Sequence, residues 1–474
     1  MSVLSYARFL IGITAIGLPI LSVAANTASS IVPKADPVTL EVTDTHVVST
    51  KVQTQQPQTD SRPICIALLM PSDNSPFLAA AKIVENGLLA ANHTEKDKAK
   101  ILLIESQEQL SVGDQISAAI FAGADVIVGP LQKDRVEELT KQDHLFIPTV
   151  ALNISETKPP QQENLIMLSI STESEARQLA KTAVKNLCPT ESTPHPKVII
   201  LKSDAPWTNK LVQAYEEILN ENRIEYDVET ATLDNLTDLK TKLEPELSTE
   251  SKQYFNKQFQ ELSKEKDPKK LKFKQRQIYN KMRTAIAETE PPYQSALLAM
   301  DATMASLVRN RLHVRMNVWG TSTTNPGDIQ ANPTAKALAY DLNGLHFVDC
   351  PLVLNYNDES FKEKFALDIP YTLPARRLFA LGVDAYAIAK VWATKNRRFS
   401  INGETGTLTV DRHTSPEVNR TPITAIINQG EVMLPAMDLP SVSLPESVAS
   451  STQKATEITD PQKNATLTLL PTYR

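Results

Sequence analysis

The chain has 474 residues, a formal net charge of −6 and 41% hydrophobic residues. That length exceeds one ordinary core, so two or more domains are expected. The slight acidity excludes a generally nucleic-acid-binding surface and leaves room only for a local basic patch.

The N-terminus reads as an export signal, residues 1–25. Arg8 gives a short positive region and Phe9 to Val23 is apolar. Val23-Ala24-Ala25 supplies small residues for cleavage after Ala25. The alternative is an uncleaved anchor, but the apolar stretch is shorter than the ~20 residues a span needs. No cysteine stands directly after it at the usual lipoprotein attachment point, so lipid anchoring is not expected. Residues 26–62 are rich in Thr, Gln, Val, Ser and Pro and read as a flexible linker. Residues 434–474 read as a disordered tail for the same reason. Three cysteines remain, Cys65, Cys188 and Cys350, and an odd number leaves at least one free thiol. Buried thiols acting as small hydrophobes are the favoured reading. A disulfide between two of the three stays open.

From residue 63 a strand-then-helix rhythm begins. Ile64 to Pro71, Lys100 to Ser106, Asp125 to Pro130 and Leu145 to Asn153 are apolar runs without alternation. Such runs suit strands buried on both faces, which need crossover helices, so parallel α/β sheets are predicted. Ser75 to His93 is a predicted helix with Ser75 as N-cap and Pro76 at its first position. Ser111 to Ala124 and Leu131 to Gln142 are two more, and Asn164 to Ser171 is a strand. These make a first lobe, 63–171.

A second lobe is predicted over 172–322. Its opening helix, Thr172 to Cys188, carries a capping-box pattern, Thr172 with Glu175. A strand from Pro196 to Asp204, a helix from Trp207 to Glu221 and strands ending at Leu233, Asp301 and Ser322 follow. Lys252 to Arg283 holds eleven Lys or Arg residues and three acidic ones, and reads as a basic helical insertion. It is either a solvated face or a contact with peptidoglycan or another anionic surface, densest at Lys266 to Gln277. Residues 323–395 are expected to return to the first lobe, through Leu342 to Leu354 and the helix Arg377 to Ala393. Residues 396–433 are expected to close the second lobe with strands. A chain that crosses repeatedly between two lobes makes a hinged cleft.

Ligands of parallel sheets bind beyond the carboxyl ends of the strands, which sets the candidate residues. In the first lobe these are Ser72, Asp73, Asn74 and Ser75, leading into a helix N-terminus where amides can hold an anion. Asp73 opposes that with its own charge. Gly129 and Pro130 form either a tight turn or a ligand contact, and Asn153 ends the fourth strand. In the second lobe they are Asp204, Trp207, Asp301, Thr321 and Ser322. Trp207 either stacks on a small ligand or caps the core. Asp384 lies on a helix face near the cleft or serves structure only. The seven histidines are scattered without metal-ligand spacing, and no nucleophile elbow or phosphate loop is present. No catalysis, metal or cofactor is expected.

Several segments together resemble the penicillin-binding protein activator family of the LppC type. They are Ile66 to Ala81, Gly123 to Val136, Pro148 to Asn153, Leu168 to Ala180, Leu342 to Leu354, Arg376 to Ala389 and Ile401 to Arg412. LHFVDCP and GETGTLTVD are the pieces that separate this family from amino-acid receptors. The resemblance implies a two-lobed periplasmic binding protein type I (Venus flytrap) fold. It also implies a non-catalytic periplasmic regulator that binds and stimulates a bifunctional peptidoglycan synthase. The alternative is a periplasmic solute-binding receptor for a small polar ligand of an ABC transporter, with that ligand in the cleft.

Overall fold

Cys65–Met70 forms strand β1 with all six residues buried, as an apolar run without alternation requires. The computed structural model describes residues 62–434, apart from 107–109, 157–161, 191–192, 356–362 and 366–368. The expected export signal lies outside the described residues, as do the linker up to residue 61 and the tail from residue 435.

The first sheet has β1 beside β2 (Lys100–Glu105), with β3 (Val126–Val128), β4 (Thr149–Ala151) and β5 (Leu165–Met167) on its other side. Every pairing in it is parallel. Helices α1 (Leu78–Thr94), α2 (Val112–Phe121) and α3 (Lys133–Thr140) are its crossovers. Helix α1 begins later than its sequence suggests. Ser72 to Phe77 is spent on turns, in which Ser75 accepts the Leu78 N–H at 3.0 Å through its carbonyl and the Phe77 N–H at 3.2 Å through its hydroxyl.

The second lobe opens with α4 (Thr172–Lys185), whose Ala176, Leu179 and Ala180 pack against Val198 and Ile200. Its strands are β6 (Val198–Lys202), β7 (Tyr226–Thr230), β8 (Ser295–Ala299), β9 (Asn317–Gly320) and β10 (Leu345–Asp349). They are mutually parallel in the order β10-β9-β8-β6-β7. Between them run α5 (Thr208–Glu221), α6 (Leu236–Leu243), α7 (Thr249–Leu262), α8 (Pro268–Glu288), α9 (Ala302–Arg309) and α10 (Pro333–Asp341).

Two expectations about boundaries need correction. The return to the first lobe does not begin at residue 323. Residues 333–349 form a further helix-and-strand unit of the second lobe, because β10 completes a slot beside β9 with Leu345 opposite Val318. The chain joins the first-lobe core only beyond α11 (Pro351–Leu354), at α12 (Leu373–Ala393). Nor do residues 396–433 all close the second lobe. β11 (Arg398–Asn402), β12 (Thr407–Asp411) and β13 (Asn419–Thr421) make a separate antiparallel sheet. Strand alternation turns Leu408 and Val410 to one face, which packs into the first-lobe core. Only β14 (Ile423–Asn428) and β15 (Glu431–Met433) extend the second-lobe sheet, both antiparallel. Cys65 and Cys350 are buried, as the small-hydrophobe reading expects, whereas Cys188 is exposed; all three are free.

Helices α1 and α12 hold the first lobe together from opposite ends of the sequence. They run side by side, with the Tyr386 hydroxyl donating to Asn92 at 3.0 Å and Lys390 paired to Glu95 at 2.9 Å. Glycines set their approach. A Cβ at Gly382 would lie 2.0 Å from the Val84 carbonyl oxygen, and one at Gly87 would lie 2.0 Å from that of Phe379. Gly382→Leu must push the helices apart and is expected to destabilise the fold by about 1–3 kcal/mol or more. Thermal unfolding followed by circular dichroism checks this, and an unchanged transition would contradict the packing described.

Candidate functional site

A cavity of about 1040 Å³ lies between the lobes. Leu152, Asn153 and Ile154 line it from the carboxyl end of β4. Ser169 to Ser174 line it at the crossing from β5 into α4, and Arg177, Lys210 and Glu217 from α4 and α5. Five of its charged residues pair with one another, while Glu173 and Glu417, also in the lining, form no ion pair among the described residues. Glu156, on the first lobe, meets Lys133 at 2.6 Å and reaches across to Lys210 of α5 at 3.2 Å. Hydrogen bonds from those two ammonium groups hold the Glu156 carboxyl below its usual range. Arg177 pairs with Glu217 at 2.7 Å. These are exposed pairs, each worth little in stability. They engage Lys133, Glu156, Lys210, Arg177 and Glu217 of the lining with one another.

The stronger electrostatics lie at the hinge. The chain crosses between lobes after β5, after β10 and after β13, and two buried ion pairs tie those crossings together. Glu175 of α4 receives Arg420 of β13 at 2.9 Å, with both side chains 1% exposed. The other Glu175 oxygen accepts the Ser322 N–H at 2.9 Å. Arg420 also donates to the Thr405 carbonyl at 3.2 Å. Asp349, closing β10, binds Arg377 of α12 in a two-pronged contact of 2.9 and 2.6 Å. Asn325 donates to Asp349 at 2.7 Å and the Cys350 N–H does so at 2.8 Å. Arg377 also donates to the Ser322 carbonyl at 2.9 Å, so the two pairs share Ser322. Each pair joins a second-lobe acid to an arginine on a first-lobe element. Burial works against the charge on Arg377, but Asp349 beside it raises the pKa; for Arg420, likewise buried, Glu175 has the same effect. Burial also pushes the Cys350 thiol up.

Asp384 completes the assembly. Its carboxyl accepts the Glu404 and Thr405 N–H groups at 2.6 and 2.7 Å and the Thr405 hydroxyl at 2.6 Å. Burial pushes it up to about 7, against the pull of those donors. It therefore fastens the turn that Arg420 grips from the other side. Asp384 has a structural place, away from the cavity lining.

The sequence-derived candidates scatter. Asn153 lines the cavity, and its amide donates to the Leu131 carbonyl at 3.2 Å. Ser72, Asp73, Asn74 and Ser75 lie off the cavity lining; the Ser75 hydroxyl accepts from Gln132 at 3.3 Å. Gly129 and Pro130 are buried and joined by a cis peptide bond. Gly129 has φ +103°, and a Cβ there would sit 3.2 Å from Leu69. Pro130 lines a small pocket with Met70 and Phe77. It does not start α3, which begins at Lys133. Asp204 and Trp207 are exposed beyond β6, and Trp207 neither caps a core nor lines the cavity. Asp301 is the N-cap of α9, accepting the Met304 N–H at 2.9 Å. Thr321 and Ser322 are buried at the hinge.

Sequence reasoning anticipated a hinge but missed the buried ion pairs that tie it. Glu175 reads as a capping residue, but Ser171 is the N-cap, accepting the Ser174 N–H at 3.2 Å, and Glu175 is buried. Among the described residues no group of three His, Cys, Asp or Glu is placed to hold a metal ion.

Two α/β lobes with parallel sheets, crossed three times and separated by a cavity, define the periplasmic binding protein type I fold. Solved structures share it. A putative branched-chain amino acid ABC transporter protein from Chromobacterium violaceum superposes with TM-score 0.56 at 21% identity, over 77% of this chain and 99% of that one. The C-domain of LpoA (YraM) from Haemophilus influenzae, described as a regulator of PBP1A, gives 0.55 at 16% identity, over 78% and 99%. At these identities the likeness is one of fold.

The chain belongs to the LppC family: the model described as LppC putative lipoprotein matches residues 50–421. The penicillin-binding protein activator LpoA of Vibrio antiquarius is 24% identical over 374 residues, 74% of this chain and 55% of its own length. LpoA of Photobacterium profundum is 23% identical over 351 residues, 73% and 53%. The chain therefore spans about half the length of these curated relatives.

Arg420→Met leaves Glu175 buried without its partner and is expected to cost about 3–5 kcal/mol. The double change Glu175→Leu with Arg420→Met removes both charges and is expected to recover most of that loss. Urea unfolding of the three proteins checks the coupling. Equal losses in single and double variants would contradict it.

Proposed function

We propose that this chain is a non-catalytic periplasmic regulator that binds a bifunctional peptidoglycan synthase and stimulates it. The observation that carries this reading is membership of the LppC family over residues 50–421, beside relatives named penicillin-binding protein activators. The internal pairing of the cavity charges supports action through protein contact. The LpoA C-domain, which this chain covers almost completely in fold, is described as a regulator of PBP1A. Export is expected to place the chain where the synthase works, and among the described residues no helix is long and apolar enough to cross a membrane.

The receptor reading rests on the size of the cavity, which lies at the upper end of small-molecule sites. It requires a ligand that displaces the Glu156 and Glu217 pairings. Of the strand-end candidates, only Asn153 lines that cavity. Thermal shift across amino acids and short peptides tests it, and a flat panel removes it.

The regulator reading makes a direct prediction. Purified chain added to the bifunctional synthases of its own cell should raise the rate of glycan polymerisation or cross-linking by at least about twofold with one of them. Product analysis of the glycan strands and cross-linked peptides reads both activities. Unchanged synthesis with every one of those synthases would contradict the proposal.

A further inference from the structure

Helix α8 carries the densest charge of the chain. Lys269, Lys270, Lys272, Lys274, Arg276, Lys281 and Arg283 lie on it, and it has no acidic residue before Glu288. Its apolar side is already used: Ile278 packs with Phe255 and Leu262 of α7, and Leu271, Met282 and Ala285 flank them. At 100° per residue, Lys269, Lys272, Arg276 and Arg283 fall within about 60° of arc on the opposite side. The stripe runs about 21 Å along the helix. All four residues are exposed. Among the described residues only Lys274 of α8 forms an ion pair, with Glu265 at 2.7 Å. Asp267 is engaged in capping the helix, where it accepts the Lys269 N–H at 2.9 Å.

Aromatic rings border the stripe. Phe273 is 64% exposed on one flank and Tyr279 is 45% exposed on the other. None of these residues lines the inter-lobe cavity. Residues 269–283 hold seven cations and no acid in a chain whose total is −6.

We propose that this face of α8 docks on an anionic phospholipid leaflet. A polyanionic glycan would satisfy the cations but leave the Phe273 ring in water. A leaflet accommodates both: the ring enters the headgroup boundary while the lysine and arginine heads stay with the phosphates. Helix α8 then lies flat on the surface, and the acidic remainder of the chain faces away from it. The hairpin is a membrane-facing foot, and the cavity and hinge are not involved. The proposal goes beyond the synthase reading and holds or fails without it.

The test is flotation of the full chain with vesicles of phosphatidylethanolamine and phosphatidylglycerol, with phosphatidylcholine vesicles as the neutral control. Wild type should float with the anionic vesicles and lose that binding as salt rises from ~0.05 to ~0.5 M. The combined change Lys269→Gln, Lys272→Gln, Arg276→Gln and Arg283→Gln should weaken it by at least about tenfold. Phe273→Ser should weaken it by about threefold. The milder pair Lys272→Glu with Arg276→Glu serves if the fourfold variant melts early by circular dichroism. Equal binding of wild type and either charge variant overturns the proposal, as does absence of anionic-vesicle binding. A variant that keeps vesicle binding but loses capture of the synthase, or of isolated peptidoglycan, also overturns it, by giving the face to a different partner.

Discussion

The relation between the two lobes rests on two acid–arginine pairs buried where they meet. Glu175 with Arg420 and Asp349 with Arg377 each join one lobe to the other, and the backbone of Ser322 serves both. Buried pairs give little net stability, since desolvation offsets most of the attraction. What they impose is geometry. A charge removed from water tolerates few alternatives to its partner, so the lobes are held in one relation by groups that cannot separate without exposing an unpaired ion. The pieces that carry the family resemblance converge there. HFVDC supplies Asp349, TESEA supplies Glu175, RRLF supplies Arg377, and DAY meets GETG through Asp384.

That geometry fixes the cavity walls. Ser169 to Ser174 are at once part of the lining and the lead into the helix bearing Glu175. Leu378 and Leu381, also in the lining, share α12 with Arg377 and Asp384. Any movement of the lobes is therefore felt by both ion pairs. Across the cleft Glu156 pairs with Lys210, and the charged groups of the hinge are buried.

Much of the fold was legible in the residues. Unalternating runs such as CIALLM have one sensible use, a strand buried on both faces, and the parallel sheets followed from that. The sheet to which a strand belongs is a different matter. HFVD reads as a strand in either lobe, and only its seat beside β9 decides. The same holds for GTLTVDR, whose alternation reveals a one-sided strand but not whose core it covers. The site was less legible still. Glu175 and Arg420 are 245 positions apart, and Glu175 and Ser322 are 147 apart. No local pattern connects such residues, and Glu175 carried a misleading local signal three positions after Thr172. Asn153 was found because strand ends are a rule of topology. Asp204, Trp207 and Asp301 obey the same rule but lie off the lining: the cavity draws on the flank of α5 rather than on the turn before it, and on no residue of α9.

The claim that the lobes are held in one relation is open to a single distance measurement. Cys188 is exposed on the second lobe and Ala118 is exposed on α2 of the first, while Cys65 and Cys350 are buried. Spin labels on Cys188 and on Ala118→Cys would report the separation by pulsed electron resonance. The account predicts one narrow distance distribution, unchanged by amino acids or short peptides. Two separated distances, or a shift on adding a small ligand, would show a working flytrap and contradict it.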